Sequence, residues 1–144
     1  MWILVSAAFI LLMNAGFALV ESGAVSKKNR SAMLIKNLFN VFITAIAFWL
    51  SGFGIGYADP KFFVGSSYNY YASYGFEHVE TDNYMHWIME FSLTSVVVSG
   101  FQGALAERTN LSAYVIITFL LAGAVYPVIL AWTWGEGWLF DKGF

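Results

Sequence analysis

Residues Gly103–Trp138 read GALAERTNLSAYVIITFLLAGAVYPVILAWTWGEGW. The stretch opens in a charged turn at Glu107 and Arg108 and closes in Trp132, Trp134 and Trp138. Between Ala113 and Trp134 no side chain is charged at neutral pH. At about 1.5 Å of rise per residue, a helix over that range covers the roughly 30 Å hydrocarbon core of a bilayer. The tryptophans then fall where amphipathic rings favour the headgroup layer. Pro127 lacks the backbone donor that would bond the carbonyl of Gly123, so in lipid that carbonyl needs a partner from another helix. The spacing therefore predicts a spanning helix packed inside a bundle.

Composition agrees with that reading. Of 144 residues, 59% are hydrophobic and 11% charged, and the mean hydropathy is +0.65, far from a soluble average. The net charge of -2, without a basic cluster that tracks phosphates, argues against a nucleic-acid partner. Zero cysteines exclude disulfides, thiolate metal sites and cysteine nucleophiles. No paired carboxylates, phosphate loop or activated nucleophile can be assembled, so neither an enzyme nor a cofactor is expected.

Working outward, further apolar runs appear. Trp2–Val20 is interrupted only by Ser6 and Asn14, follows no basic residue and exceeds a signal-peptide core, so it is expected to be retained as a span. Asn14 sits mid-span, where an amide serves best as helix-packing glue. Lys27, Lys28, Arg30 and Lys36 follow, the mark of a cytoplasmic connection. A second span over 37–57 ends in LSGFGIGY, whose Gly52 and Gly56 suit close helix contact. A loop over 58–83 is rich in Tyr, Gly and Ser and is read as outer surface. A third span over 84–105 carries Glu90, and 113–134 is the fourth.

The sum is an all-α membrane protein with four transmembrane helices. Lys27, Lys28, Arg30, Lys36 and Arg108 lie on one side, and only Lys61 and Lys142 on the other. The expected topology places both the N-terminus and the C-terminal tail outside.

Several of these strings resemble a known family. GALAERTNLSAY, VYPV and WTWGEGW, together with NAGFALVESG and KKNRSAMLIKNLFNVFITAIAFWLSGFGIGY, resemble the Amt/Mep/Rh ammonium transporters, with similarity from Trp2 to Phe144. The resemblance implies the first four helices of an about eleven-helix fold, a homotrimer in the plasma membrane, and ammonium or ammonia as cargo. The family's pore histidines would lie beyond Phe144, so an N-terminal part of a transporter is expected. His78 and His86 are at outer positions and do not replace them. The alternative is a non-conducting membrane module, an ammonium sensor or partner subunit from a truncated or split gene.

Three residues are candidates for substrate contact. Trp134 stands where the family has its vestibule tryptophan, and a ring face attracts a cation by about 0.5–2 kcal/mol. The family's stacked phenylalanine pair has no direct counterpart, because counting back from Gly103 reaches Met89 and Leu93, and from Gly100 reaches His86 and Glu90. Trp87 and Phe91 are the nearby aromatic pair at helical i, i+4 spacing. They are either the gate or a packed pair in a helix interface. Glu90 is read as a half-snorkelled group paired with His86, in preference to a cation-recruiting carboxylate. No ligand set for a metal is present.

Overall fold

The computed structural model describes residues 1–57, 70–74, 82–105, 109–135 and 137–143. Every regular element among them is helical. Helix α1 (Trp2–Ala24) is followed by a 3-10 turn (Lys27–Asn29) and by α2 (Arg30–Ala47). A π-helical turn (Phe48–Gly52) carries α2 directly into α3 (Phe53–Tyr57). After a 3-10 turn (Tyr71–Ser73) come α4 (Asp82–Gly103) and α5 (Leu111–Leu120). A second π-helical turn (Leu121–Val125) leads into α6 (Tyr126–Thr133), and α7 (Trp138–Asp141) closes the chain.

The π-turns make single rods of α2–α3 and α5–α6, which gives four rods in all. By length and composition, segments Trp2–Ala24, Lys27–Tyr57 and Leu111–Phe140 can each cross a membrane. Helix α4 has 22 residues, about 33 Å of rise, and packs between α1 and α2. Asn14 meets Ser95 and Glu21 lies against Gly103, so α1 and α4 run parallel. Glu21 also meets Asn37, and Tyr57 meets Glu90, so the α2–α3 rod runs the opposite way. The α5–α6 rod follows α2–α3, with Gln102 bonded to Thr118 and Leu130 against Gly56.

The interior is polar where a soluble bundle would be greasy. Helix α1 buries a narrow seam of Ala7, Asn14 and Glu21 at seven-residue spacing and leaves Phe9, Leu12 and Val20 exposed. Helix α2 turns Asn37, Asn40 and Thr44 inward, and α4 buries Ser92, Thr94, Ser95, Ser99 and Gln102. These groups bond one another. Asn40 Nδ2 donates to Ser99 Oγ at 2.7 Å, Ser99 Oγ donates to Asn14 Oδ1 at 2.8 Å, and Asn14 Nδ2 donates to Ser95 Oγ at 3.0 Å. In a bilayer, where lipid tails give little hydrophobic drive for helix association, such bonds help to fix which helices meet.

Pro127 behaves as its chemistry requires. The Gly123 carbonyl that it leaves without an in-helix donor accepts from Ser51 Oγ at 2.9 Å, tying the two π-turns together. Gly52 and Gly56 face the α5–α6 rod: a Cβ on Gly52 would come within 3.0 Å of the Ala122 carbonyl oxygen, and one on Gly56 within 2.8 Å of Leu130 Cδ2. Gly54 seats the Tyr71 ring, and burial there raises the Tyr71 phenol above its ordinary pKa.

The helices extend past the apolar runs that mark them in sequence. Glu21, read as the start of a loop, is helical and buried on the α1 seam because Asn37 Nδ2 donates to its Oε2 at 2.6 Å. Of the loop expected over 58–83, only Tyr70–Tyr74 and the first turn of α4 are described. Lys61, His78, Glu107 and Arg108 lie outside the described residues.

Candidate functional site

The site builds from the α3–α4 contact. Residues four apart share a helix face, and Trp87 and Phe91 do so with rings stacked at 5.5 Å and 13°. Phe48, from the π-turn, tilts against Trp87 at 6.2 Å and meets Phe53 edge-on. Phe53 in turn contacts Tyr57 at 5.1 Å and Tyr70 at 5.7 Å. The π-turn matters here: its extra residue shifts the helix register between Phe48 and Phe53 and lets both rings enter one cluster with Phe91 and Leu130.

Next to this cluster stands the carboxylate. Glu90 is only 8% exposed. Tyr57 Oη donates to its Oε1 at 2.8 Å, while Oε2 has no partner. The expectation of a snorkelled Glu90 is therefore corrected. The carboxylate points into the bundle because a tyrosine on the neighbouring rod offers it a hydroxyl. His86, one turn earlier, is exposed and lines a pocket of about 260 Å³ with Phe53, Tyr57 and Tyr70.

Trp134 ends α6, where its N–H and that of Gly135 both donate to the Leu130 carbonyl, at 2.8 and 3.0 Å. The side chain is 75% exposed. Gly135 packs so closely that a Cβ there would come within 3.0 Å of Ala131 Cα and overlap the Gly56 carbonyl oxygen. That contact ties the motif to the α3 end and puts Trp134 at the same end of the bundle as Tyr57. Thus Trp87 and Phe91 are brought together, and Trp134 stands apart from them, with no ring contact to either among the described residues. Trp132 and Trp138 pair edge-on at 5.9 Å instead.

The opposite end is basic. Lys36 Nζ donates to the Thr109 carbonyl at 3.1 Å and lies 5.6 Å from the Tyr114 ring centre, joining the first and third connections. Lys27, Lys28 and Arg30 are exposed beside it.

Chemically, the first end offers ring faces and one buried anionic oxygen, a combination that favours a small cation. Among the described residues no three His, Asp or Glu side chains come together to hold a metal. Tyr57 is the site residue that sequence reasoning missed. Its signal was its place at the end of a glycine-rich helix, opposite an intramembrane acid in the next span.

The whole chain, residues 1–144, matches the model of the Ammonium Transporter Family. The chain belongs to that family. Ammonium transporter 3 of Dictyostelium discoideum is 33% identical over 145 residues, covering 99% of this chain and 32% of the relative. Ammonium transporter 1 member 3 of Solanum lycopersicum is 29% identical over 141 residues, with 96% of this chain and 30% of the relative covered. For Ammonium transporter Amt2 of Archaeoglobus fulgidus the identity is 28% over 152 residues, covering 99% and 30%. The chain thus spans about a third of the length of the curated relatives it matches. A solved structure named Sensor Amt Protein superposes with a TM-score of 0.89 at 23% identity, over 97% of this chain and 36% of that one, a likeness of fold. The Ammonium Transporter Family is one of transporters, which sets the chain apart from enzymes.

Proposed function

We propose that these four passes serve the movement of ammonium and ammonia across a plasma membrane, by supplying the outer mouth of the conducting path. The observation that carries the reading is the stacked Trp87–Phe91 pair, set at the same end of the bundle as the exposed Trp134 and away from Lys27, Lys28 and Lys36, in a chain of this family. Ammonium gathers against the rings, where cation–π attraction offsets part of its lost hydration. It then returns its proton to the water of the outer mouth and passes inward as neutral ammonia, which avoids carrying a charge through the apolar interior. In this reading the lysine-rich end faces the cytoplasm, both termini face outward, the pore histidines lie in passes beyond these four, and the assembly is a homotrimer.

The test is uptake of labelled methylammonium by cells deficient in ammonium uptake. Expressed together with the passes that carry the pore histidines, these four should restore saturable uptake that ammonium inhibits and potassium does not. Well-folded protein in the membrane with no uptake above background would favour the alternative, a non-conducting sensor or partner subunit.

A further inference from the structure

Glu90 places a carboxyl group where the fold needs only a hydrogen-bond acceptor. Its bond to Tyr57 ties α3 to α4, but an amide oxygen would accept the same hydroxyl without the cost of desolvating a carboxylate. Among the described residues no lysine or arginine pairs with it, and His86 is the cation that acts on it: Oε1 accepts from Tyr57, and Oε2 is buried with no partner. Lys27, Lys28, Arg30 and Lys36 are at the other end of the bundle, and His86 is exposed one turn away. A buried anionic oxygen of this kind takes a proton, a water or a cation.

We infer that Glu90 holds a monovalent, hydrogen-bonding cation of the ammonium class at the aromatic end of the bundle, with Tyr57 both fixing the carboxylate and lining the neighbouring pocket with Phe53 and Tyr70. This rests on the ammonium reading above and deepens it by adding an anionic station to the aromatic one. The chemistry selects the class of ion. A divalent cation would require a shell of six or more oxygens, and among the described residues no cluster of carboxylates and histidines supplies one. A single carboxylate oxygen beside ring faces suits one positive charge with N–H donors. The site differs from Trp134 in kind, because attraction there is to a ring at the surface and here to a buried charge.

Thallium(I), a monovalent ion close to ammonium in size, is the direct probe. Crystals of the purified wild-type protein soaked in a thallium(I) salt should give an anomalous peak beside Glu90 Oε2, and Glu90→Gln should lose it. An ordered water that thallium(I) does not replace would overturn the inference. In cells, Glu90→Gln should raise the KM for methylammonium by roughly tenfold, the worth of one charge-assisted bond, with little change in kcat. An unchanged KM in a well-expressed variant would also overturn it. Thallium(I) at Glu90 in a wild-type protein that takes up no methylammonium would refute the ammonium reading and leave the cation site standing.

Discussion

At the scale of single residues, Asn14 shows how one amide fixes a contact. It accepts from Ser99 and donates to Ser95, and Ser99 accepts from Asn40, so three helices meet through one side chain. Asn14→Ala should lower stability by about 1–2 kcal/mol, since it takes the amide donor from Ser95 and the acceptor from the Ser99 hydroxyl in a buried seam. Reversible unfolding of the reconstituted protein measures this, and an unchanged stability would mean that the seam is held by packing alone. The role of Asn14 was legible in sequence because an amide within an apolar run has few other uses. That of Glu90 was not. Its closeness to a helix end suggested snorkelling, and nothing local indicates that Tyr57, 33 residues earlier, supplies a hydroxyl. The Ser92, Ser95, Ser99 and Gln102 stripe on α4 was present at helical spacing but masked by the valines among it.

Elements add a constraint that individual residues do not reveal. Two rods bend through π-turns that face each other, and Ser51 supplies the bond that Pro127 withholds from Gly123. Ser51→Ala should therefore destabilise the protein by about 1–2 kcal/mol, the cost of a buried carbonyl left unpaired. Pro127→Ala returns an in-helix donor, so the double variant should be less destabilised than the sum of the two single changes. Additive effects in that cycle would show that the carbonyl finds another partner. The need for a partner was deducible from Pro127 itself. Its identity depended on register across 72 residues, and the π-turn that sets this register leaves no mark in composition. The glycines of LSGFGIGY were legible for the reverse reason, since close backbone approach requires small residues and these face α5–α6.

On the scale of the whole molecule, the class of fold was readable from hydropathy alone, because apolar length and basic flanks obey the bilayer rather than any particular neighbour. The arrangement of the aromatic residues was not legible in the sequence: Trp87 and Phe91 stack, whereas Trp134 joins them only by sharing an end of the bundle. The proposed sidedness rests on the basic residues that flank the spans. The native chain has no cysteine, so a single Lys142→Cys or Lys28→Cys is a unique label site. In intact cells a membrane-impermeant maleimide should label Lys142→Cys and spare Lys28→Cys until the membrane is opened. Labelling in the reverse order would contradict the proposed orientation. The most direct measurement of the central claim is uptake of labelled methylammonium into proteoliposomes, with wild type and Trp134→Ala compared over a range of methylammonium concentrations. The variant should need several-fold more methylammonium for half-maximal uptake, in line with the loss of about 1 kcal/mol of cation–π attraction. Identical concentration dependence in the two proteins would contradict it.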